Sequence, residues 1–190
     1  MARLPLAAHN GPSACALAVA LVISLALFAA GLSAQTAKPT EYEVEAEYLS
    51  NFGRFVEWPA TPAGESFHVC VLGQDPFGAM LDAALKGQSI GDAPMAAKRV
   101  ATPEEAAGCR ILFISASKSA QLQAILTALA PMNLLTVSDV SDFTKRGGMI
   151  QFLPEGDRVR FEINLSAAQK AGLTLSSELL RVATTVRREP

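Results

Sequence analysis

Phe67-His68-Val69-Cys70-Val71-Leu72-Gly73-Gln74-Asp75-Pro76-Phe77-Gly78 is an apolar run that breaks into a turn. The run, interrupted only by His68, reads as a buried strand, and the glycine, aspartate and proline after it mark the strand's end. Pro76 suits the first turn of a helix, with Asp75 as its cap. Met80–Lys86 then carries helical spacing, and Gly87 stops it. A strand followed at once by a helix is the repeating unit of a parallel sheet.

The same grammar recurs downstream. Arg110–Ser115 is a second core strand, and Ser117–Leu129 a helix with Leu122, Ile125, Leu126 and Leu129 on one face and Pro131 just beyond. Between these units, Ile90–Pro94 reads as loop and Lys98–Ala101 as a short strand. Leu134–Val137 is a third core strand, followed by a short helix or turn over Asp139–Arg146. Met149–Leu153 and Arg158–Leu165 flank Pro154-Glu155-Gly156-Asp157, which makes them a hairpin. In its second arm Val159, Phe161, Ile163 and Leu165 alternate with Arg160, Glu162 and Asn164, so one face is buried. Helices are expected at Ser166–Ala171 and, amphipathic, at Ser176–Arg187. The expected fold is α/β: a single domain with a mostly parallel sheet, an antiparallel C-terminal hairpin and helices on both faces.

Upstream, Glu41–Phe55 lacks proline and follows helical spacing, with Thr40 as a start cap and Trp58-Pro59 as the stop. Glu41, Glu43, Glu45 and Glu47 crowd the first turns, where the helix dipole favours anions, and read as a solvated face. Residues 14–30 are uncharged and apolar, with Arg3 before them and Gly31, Ser33 and Ala34 after. That pattern describes a signal peptide, residues 1–34, with Ala37 as an alternative cut; the mature domain is then 35–190. The rival is an uncleaved anchor, since the run approaches the ~20 residues that span a bilayer.

Export takes Cys15 away and leaves Cys70 and Cys109, which in an oxidising compartment form either a disulfide or two buried thiols; the even count favours the disulfide. It also removes Arg3 and no acid, so the remainder is one unit more acidic than the whole chain, whose formal net charge is −2. No nucleic-acid footprint follows from that balance. His68 is the one histidine in the mature part, and no close Cys/His cluster supports a metal.

Chemistry is sparse. The Gly73–Gly78 turn has neither the lysine of a P-loop nor a dinucleotide fingerprint, and no cofactor is implied. Asp75 and Phe77, with Ser115 and Ser117 at the end of the next strand, still stand where open α/β sheets bind ligands. A nucleophilic serine there would need His68 as base, without any nucleophile-elbow motif; Ser117 reads instead as a helix cap. Asp142, Glu155, Asp157 and Glu162 are too scattered to pair and read as solvated. Phe52, Phe55 and Trp58 surround Arg54 and Glu57; such a group is usually core, but Arg54, Phe55 and Trp58 are the candidate partner contact, because aromatic residues and arginine are enriched at interfaces.

Glu41–Pro59 as a whole, Cys70–Gly78, Cys109–Ser115, Leu135–Asp139, Gly147–Ile150, Val159–Leu165 and Ser176–Leu180 together resemble, in that order, the YfiR-like family over roughly residues 40–187. The resemblance implies a periplasmic regulator without catalysis. It would restrain a membrane-bound diguanylate cyclase, or another membrane sensor, and so modulate cyclic-di-GMP signalling. It also implies an outer-membrane lipoprotein that relieves the restraint, and a homodimer. Cys70 and Cys109 match the family's recurring pair, whereas a second pair near Asp142–Phe152 is absent. A small-ligand-binding module serving another sensor or a transporter is the alternative expectation.

Overall fold

The computed structural model describes residues 39–59, 65–156 and 158–188; the expected signal segment lies outside the described residues. Helix α1 (Glu41–Phe52) opens the domain. Thr40 accepts from the Glu43 amide at 3.3 Å while its own amide donates to the Glu43 carboxylate at 2.6 Å, a reciprocal cap. Then follow β1 (Val56–Glu57), β2 (Phe67–Leu72), α2 (Ala79–Leu85), β3 (Ser89–Ile90), β4 (Ala93–Val100), β5 (Cys109–Ile114) and α3 (Leu122–Leu129). The second half holds β6 (Leu135–Ser138), β7 (Ile150–Glu155), β8 (Arg158–Asn164), α4 (Leu165–Lys170), β9 (Thr174–Leu175), α5 (Ser177–Val182) and β10 (Thr185–Arg187).

Eight strands form one sheet in the order β10-β8-β7-β6-β5-β2-β4-β3, and β1 pairs with β9 in a separate ribbon. The central ladders β4-β2-β5-β6-β7 are parallel, and the β7–β8 hairpin is antiparallel, as the sequence predicts. Side chains alternate between two cores. Val69, Val71, Ile111, Phe113, Leu135 and Val137 face α1, α2, α4 and α5. Cys70, Leu72, Leu112 and Ile114 face α3, with Val140 and Phe143 closing that side. Helices therefore cover both faces. No helix among the described residues is long and apolar enough to cross a membrane.

Cys70 and Cys109 are disulfide-bonded, with Cα atoms 6.0 Å apart, and the bridge ties the central strand β2 to the start of β5. Both residues are buried in the second core.

Four elements differ from the sequence reading. Helix α1 stops at Phe52 instead of Phe55; Gly53–Phe55 is a 3₁₀ turn. Gly53 passes so close to Phe67 that a Cβ would sit 2.9 Å from the ring, so the chain turns there without a side chain. Strand β4 begins at Ala93, inside the expected loop. It lies next to the sheet's edge, where Pro94 is tolerated and burial is patchy, so no apolar run announces it. The helix expected over Ser117–Leu129 is α-helical only from Leu122; Ala116–Gln121 winds as a 3₁₀ segment, and its cap is Ser115, not Ser117. The last helix ends at Val182, and Thr185–Arg187 extends as β10, parallel to β8. The β-branched Thr184, Thr185 and Val186 favour that extended form.

Two outcomes follow from this packing. Replacing both Cys70 and Cys109 by alanine lowers stability by about 2–5 kcal/mol in urea unfolding, because the closed loop of 39 residues no longer restricts the unfolded chain. Gly148 lies flat against the Phe143 ring, leaving no room for a Cβ. Gly148→Ala therefore costs about 2 kcal/mol or more on the same measurement.

Candidate functional site

Strand order reverses at β2. The chain leaves β2 for β4 on one side and returns to β5 on the other, so the carboxyl ends of β2 and β5 flank a topological switch point, where open α/β sheets bind ligands. Asp75, Phe77, Ser115 and Ser117 are all brought to that point. Their groups bind chiefly one another and the chain. The Ser117 hydroxyl accepts from the Gln74 amide at 2.9 Å and lies 3.1 Å from the Ser115 hydroxyl. Gly73, at φ 101°, fits beneath them, and a Cβ there would sit 2.6 Å from Ser117 Oγ.

Asp75 is not a helix cap. Gly78 precedes α2, and the Asp75 carboxylate instead accepts from the Phe77 amide at 2.8 Å and from Arg99 Nε at 2.8 Å. Arg99 also reaches Asp82 at 2.8 Å and the Gly78 carbonyl at 2.6 Å, so one guanidinium clasps the whole turn. Hydrogen bonding to Asp82 raises the Arg99 pKa, and the reciprocal contact lowers that of Asp82. Phe77 is a core residue, its ring 4.7 Å from Phe113 and 5.8 Å from Tyr42. His68 stands near the opposite end of β2 from Ser115, about 16 Å away along the strand. His68 and these two serines are not brought together as a pair.

Sequence reasoning missed the group that lies over this end of the sheet. Of the four early glutamates, Glu41, Glu43 and Glu47 are solvated as expected, but Glu45 is fully buried. Neither of its carboxylate oxygens has a hydrogen-bond partner among the described residues, and the same holds for Asp139 Oδ1, just after β6. Burial pushes Glu45 up to about 8, with Asp139 and then Glu41 adding repulsion. Burial also raises Asp139 and Tyr42. Helical spacing carried the signal: Glu45, Leu49 and Phe52 fall at i, i+4 and i+7, one inward stripe.

The candidate partner residues sit elsewhere, around the β1/β9 ribbon. Phe52 leaves the aromatic group for the core, stacked on Phe152 and Tyr48. Arg54 is exposed and donates to Gln88 Oε1 at 2.7 Å; Phe55 is half-buried. Trp58 packs edge-on against Phe67 at 5.6 Å, and its buried indole N–H finds no acceptor among the described residues.

The profile of the YfiR/HmsC-like family matches residues 42–184. No curated protein matches. Among solved structures, an ABC domain in complex with L-Trp from Streptococcus pneumoniae is similar at TM-score 0.53 and 10% identity, over 74% of this chain and 60% of that one. A conserved domain protein from Vibrio cholerae is similar at TM-score 0.53 and 10% identity, over 78% and 60%. The chain thus spans 60% of the length of either structure, and the likeness is one of fold.

The buried acid makes stability depend on pH with a fixed sign. A carboxyl whose folded pKa lies above its unfolded value stabilises fully below the unfolded value of 4.5, and that contribution is lost as pH rises toward about 8. Glu45→Gln, which stays neutral, is therefore expected to match the wild type at pH 4.5 and to exceed it by on the order of 3 kcal/mol at pH 8 in urea unfolding.

Proposed function

The chain belongs to the YfiR/HmsC-like family, and from that premise we propose that it is a periplasmic regulatory protein that docks on a membrane signalling protein, a diguanylate cyclase, and restrains it. The observation that carries the reading is the family match over residues 42–184. The disulfide supports it, since such bonds persist in oxidising compartments. An N-terminal signal of residues 1–34 would deliver the domain to the periplasm. Arg54, Phe55 and Trp58 form one contact: a half-buried aromatic edge with an exposed arginine beside it. Relief by an outer-membrane lipoprotein and dimerisation belong to the same reading.

A second reading is kept for one reason: the partnerless Glu45 carboxyl lies over a switch point, and a protein of similar fold was solved with L-Trp. In that case a small ligand, held near Asp75, Ser115 and Ser117 rather than by the core residue Phe77, would serve another sensor or a transporter.

Affinity capture from native membranes in oxidising buffer separates the two. The regulatory reading expects a membrane protein with a cyclase domain, lost on Trp58→Ala and Arg54→Ala, and raised cyclic-di-GMP on deletion of the protein. Unchanged cyclic-di-GMP with no cyclase recovered would overturn it. A thermal upshift with one member of a metabolite panel would favour the ligand module.

A further inference from the structure

Strand β10 is an edge. It pairs with β8, in parallel, and no described strand lies on its other side. Its neighbourhood is unusual for this acidic chain. Arg187 ends the strand and Arg188 follows it, and a cleft of about 550 Å³ over the β8–β10 pair is lined by Thr144, Lys145, Asn164, Thr185, Arg187 and Arg188. Val182, which leads into the strand, is the one exposed large hydrophobic side chain among the described residues, at 68% exposure.

The charges there are not spent equally. Arg187 serves the fold: its Nε donates to Thr144 Oγ1 at 3.2 Å and its Nη2 lies 3.4 Å from Glu162, while Thr144 itself donates to Glu162. Lys145 pairs with Asp142 at the surface, an interaction worth little in water. Arg188 is exposed and makes no ion pair with another described residue. Among the described residues the cleft keeps a positive excess. Strand β4, near the opposite margin, differs. There Lys98 donates to the Glu105 carbonyl at 3.0 Å, and Arg99 is held by Asp75 and Asp82, so its cations are used internally.

Short, charged edges refuse indiscriminate pairing. A second β10 would bring arginines toward arginines, which like-charge repulsion disfavours. An acidic strand meets no such penalty. We propose that the outer edge of β10 accepts an extended segment of a protein partner as an added strand, with an acidic side chain over Lys145 and Arg188 and an apolar one against Val182. Main-chain hydrogen bonds then hold the segment, and the two side-chain contacts select it. This deepens the regulatory reading and rests on it for the partner's identity, though not for the site's chemistry.

The probe is a short capped peptide, Thr-Val-Glu-Val-Glu-Val-Thr, with a lysine-for-glutamate counterpart and free acetate as comparators. The expected result is that the acidic peptide alone shifts the Thr185, Val186 and Arg187 amides and slows their hydrogen exchange. The Lys145→Glu/Arg188→Glu protein should bind it about tenfold more weakly with an unchanged unfolding midpoint. No amide response, equal binding by the charge-reversed protein, or full reproduction by acetate would each overturn strand addition. Membrane capture with the same variant distinguishes the two failures. If both proteins capture the cyclase equally, the edge is not the docking site and the regulatory reading stands. If neither captures it while the peptide binds, the regulatory reading fails and the edge site stands.

Discussion

Everything in the domain is referred to β2. It is buried on both faces, hydrogen-bonded on both edges to β4 and β5, and covalently tied to β5 through Cys70 and Cys109. A strand so enclosed has no tolerance for a register slip, because a shift by one residue would exchange Val69 and Val71 with Cys70 and Leu72 between two different cores. The disulfide adds to this by joining strands that are already neighbours. It restricts the unfolded chain more than it reshapes the folded one. The reversal of strand order at β2 also opens the position where a ligand could sit. There Gly73, Ser115, Ser117 and Arg99 fasten the turn to the next strand and to α2.

That enclosure explains how much of the fold was legible. Strands β2 and β5 are continuous apolar runs because both of their faces are covered; β8 alternates in sequence, yet only its first half has one buried face, since Glu162 and Asn164, read as polar and outward, are buried with polar partners. Strands β4 and β10 lack either pattern. The first has few buried side chains, and the second is three half-exposed residues attached to a helix whose amphipathic spacing simply continued on paper. Their strand character comes from the ladder offered by β2 or β8, which is tertiary information. Serine capping shifted by two residues for a similar reason: Ser115 and Ser117 are both sound caps locally, and only the Gln74 amide decides that Ser117 turns toward β2.

The site was legible in location more than in composition. A strand followed by a turn with aspartate and proline marks a carboxyl end, so Asp75, Phe77, Ser115 and Ser117 were found together. Their roles were not readable, since Arg99 lies on a strand the sequence concealed, and Phe77 is committed to Phe113 and Tyr42. Glu45 was hidden by its own neighbours. Four glutamates at alternate positions suggest a solvated face, yet a helix turns 100° per residue and must bury one of them if Leu49 and Phe52 are inside. A carboxyl so placed is tolerated by staying protonated, and the nearby Asp139 reinforces that state.

The polar interior beneath the Asp139–Gly147 turn is the counterpart of that apolar-buried acid. Thr144 is the hub: its amide donates to Gln151, its hydroxyl to Glu162, and its carbonyl accepts from Asn164 at 2.8 Å, while Arg187 completes the ring from β10. Here a carboxylate is buried with its partners, and the arginine that satisfies it is delivered by the sheet's last strand. The edge strand is therefore held by two means, a parallel ladder to β8 and a charged contact through Glu162. Arg187 is consumed in holding that strand, so any charge the edge shows to a partner must come from Lys145 and Arg188. On the proposed strand addition, stability would rest on Arg187 and recognition on Lys145 and Arg188, so either could change without undoing the other.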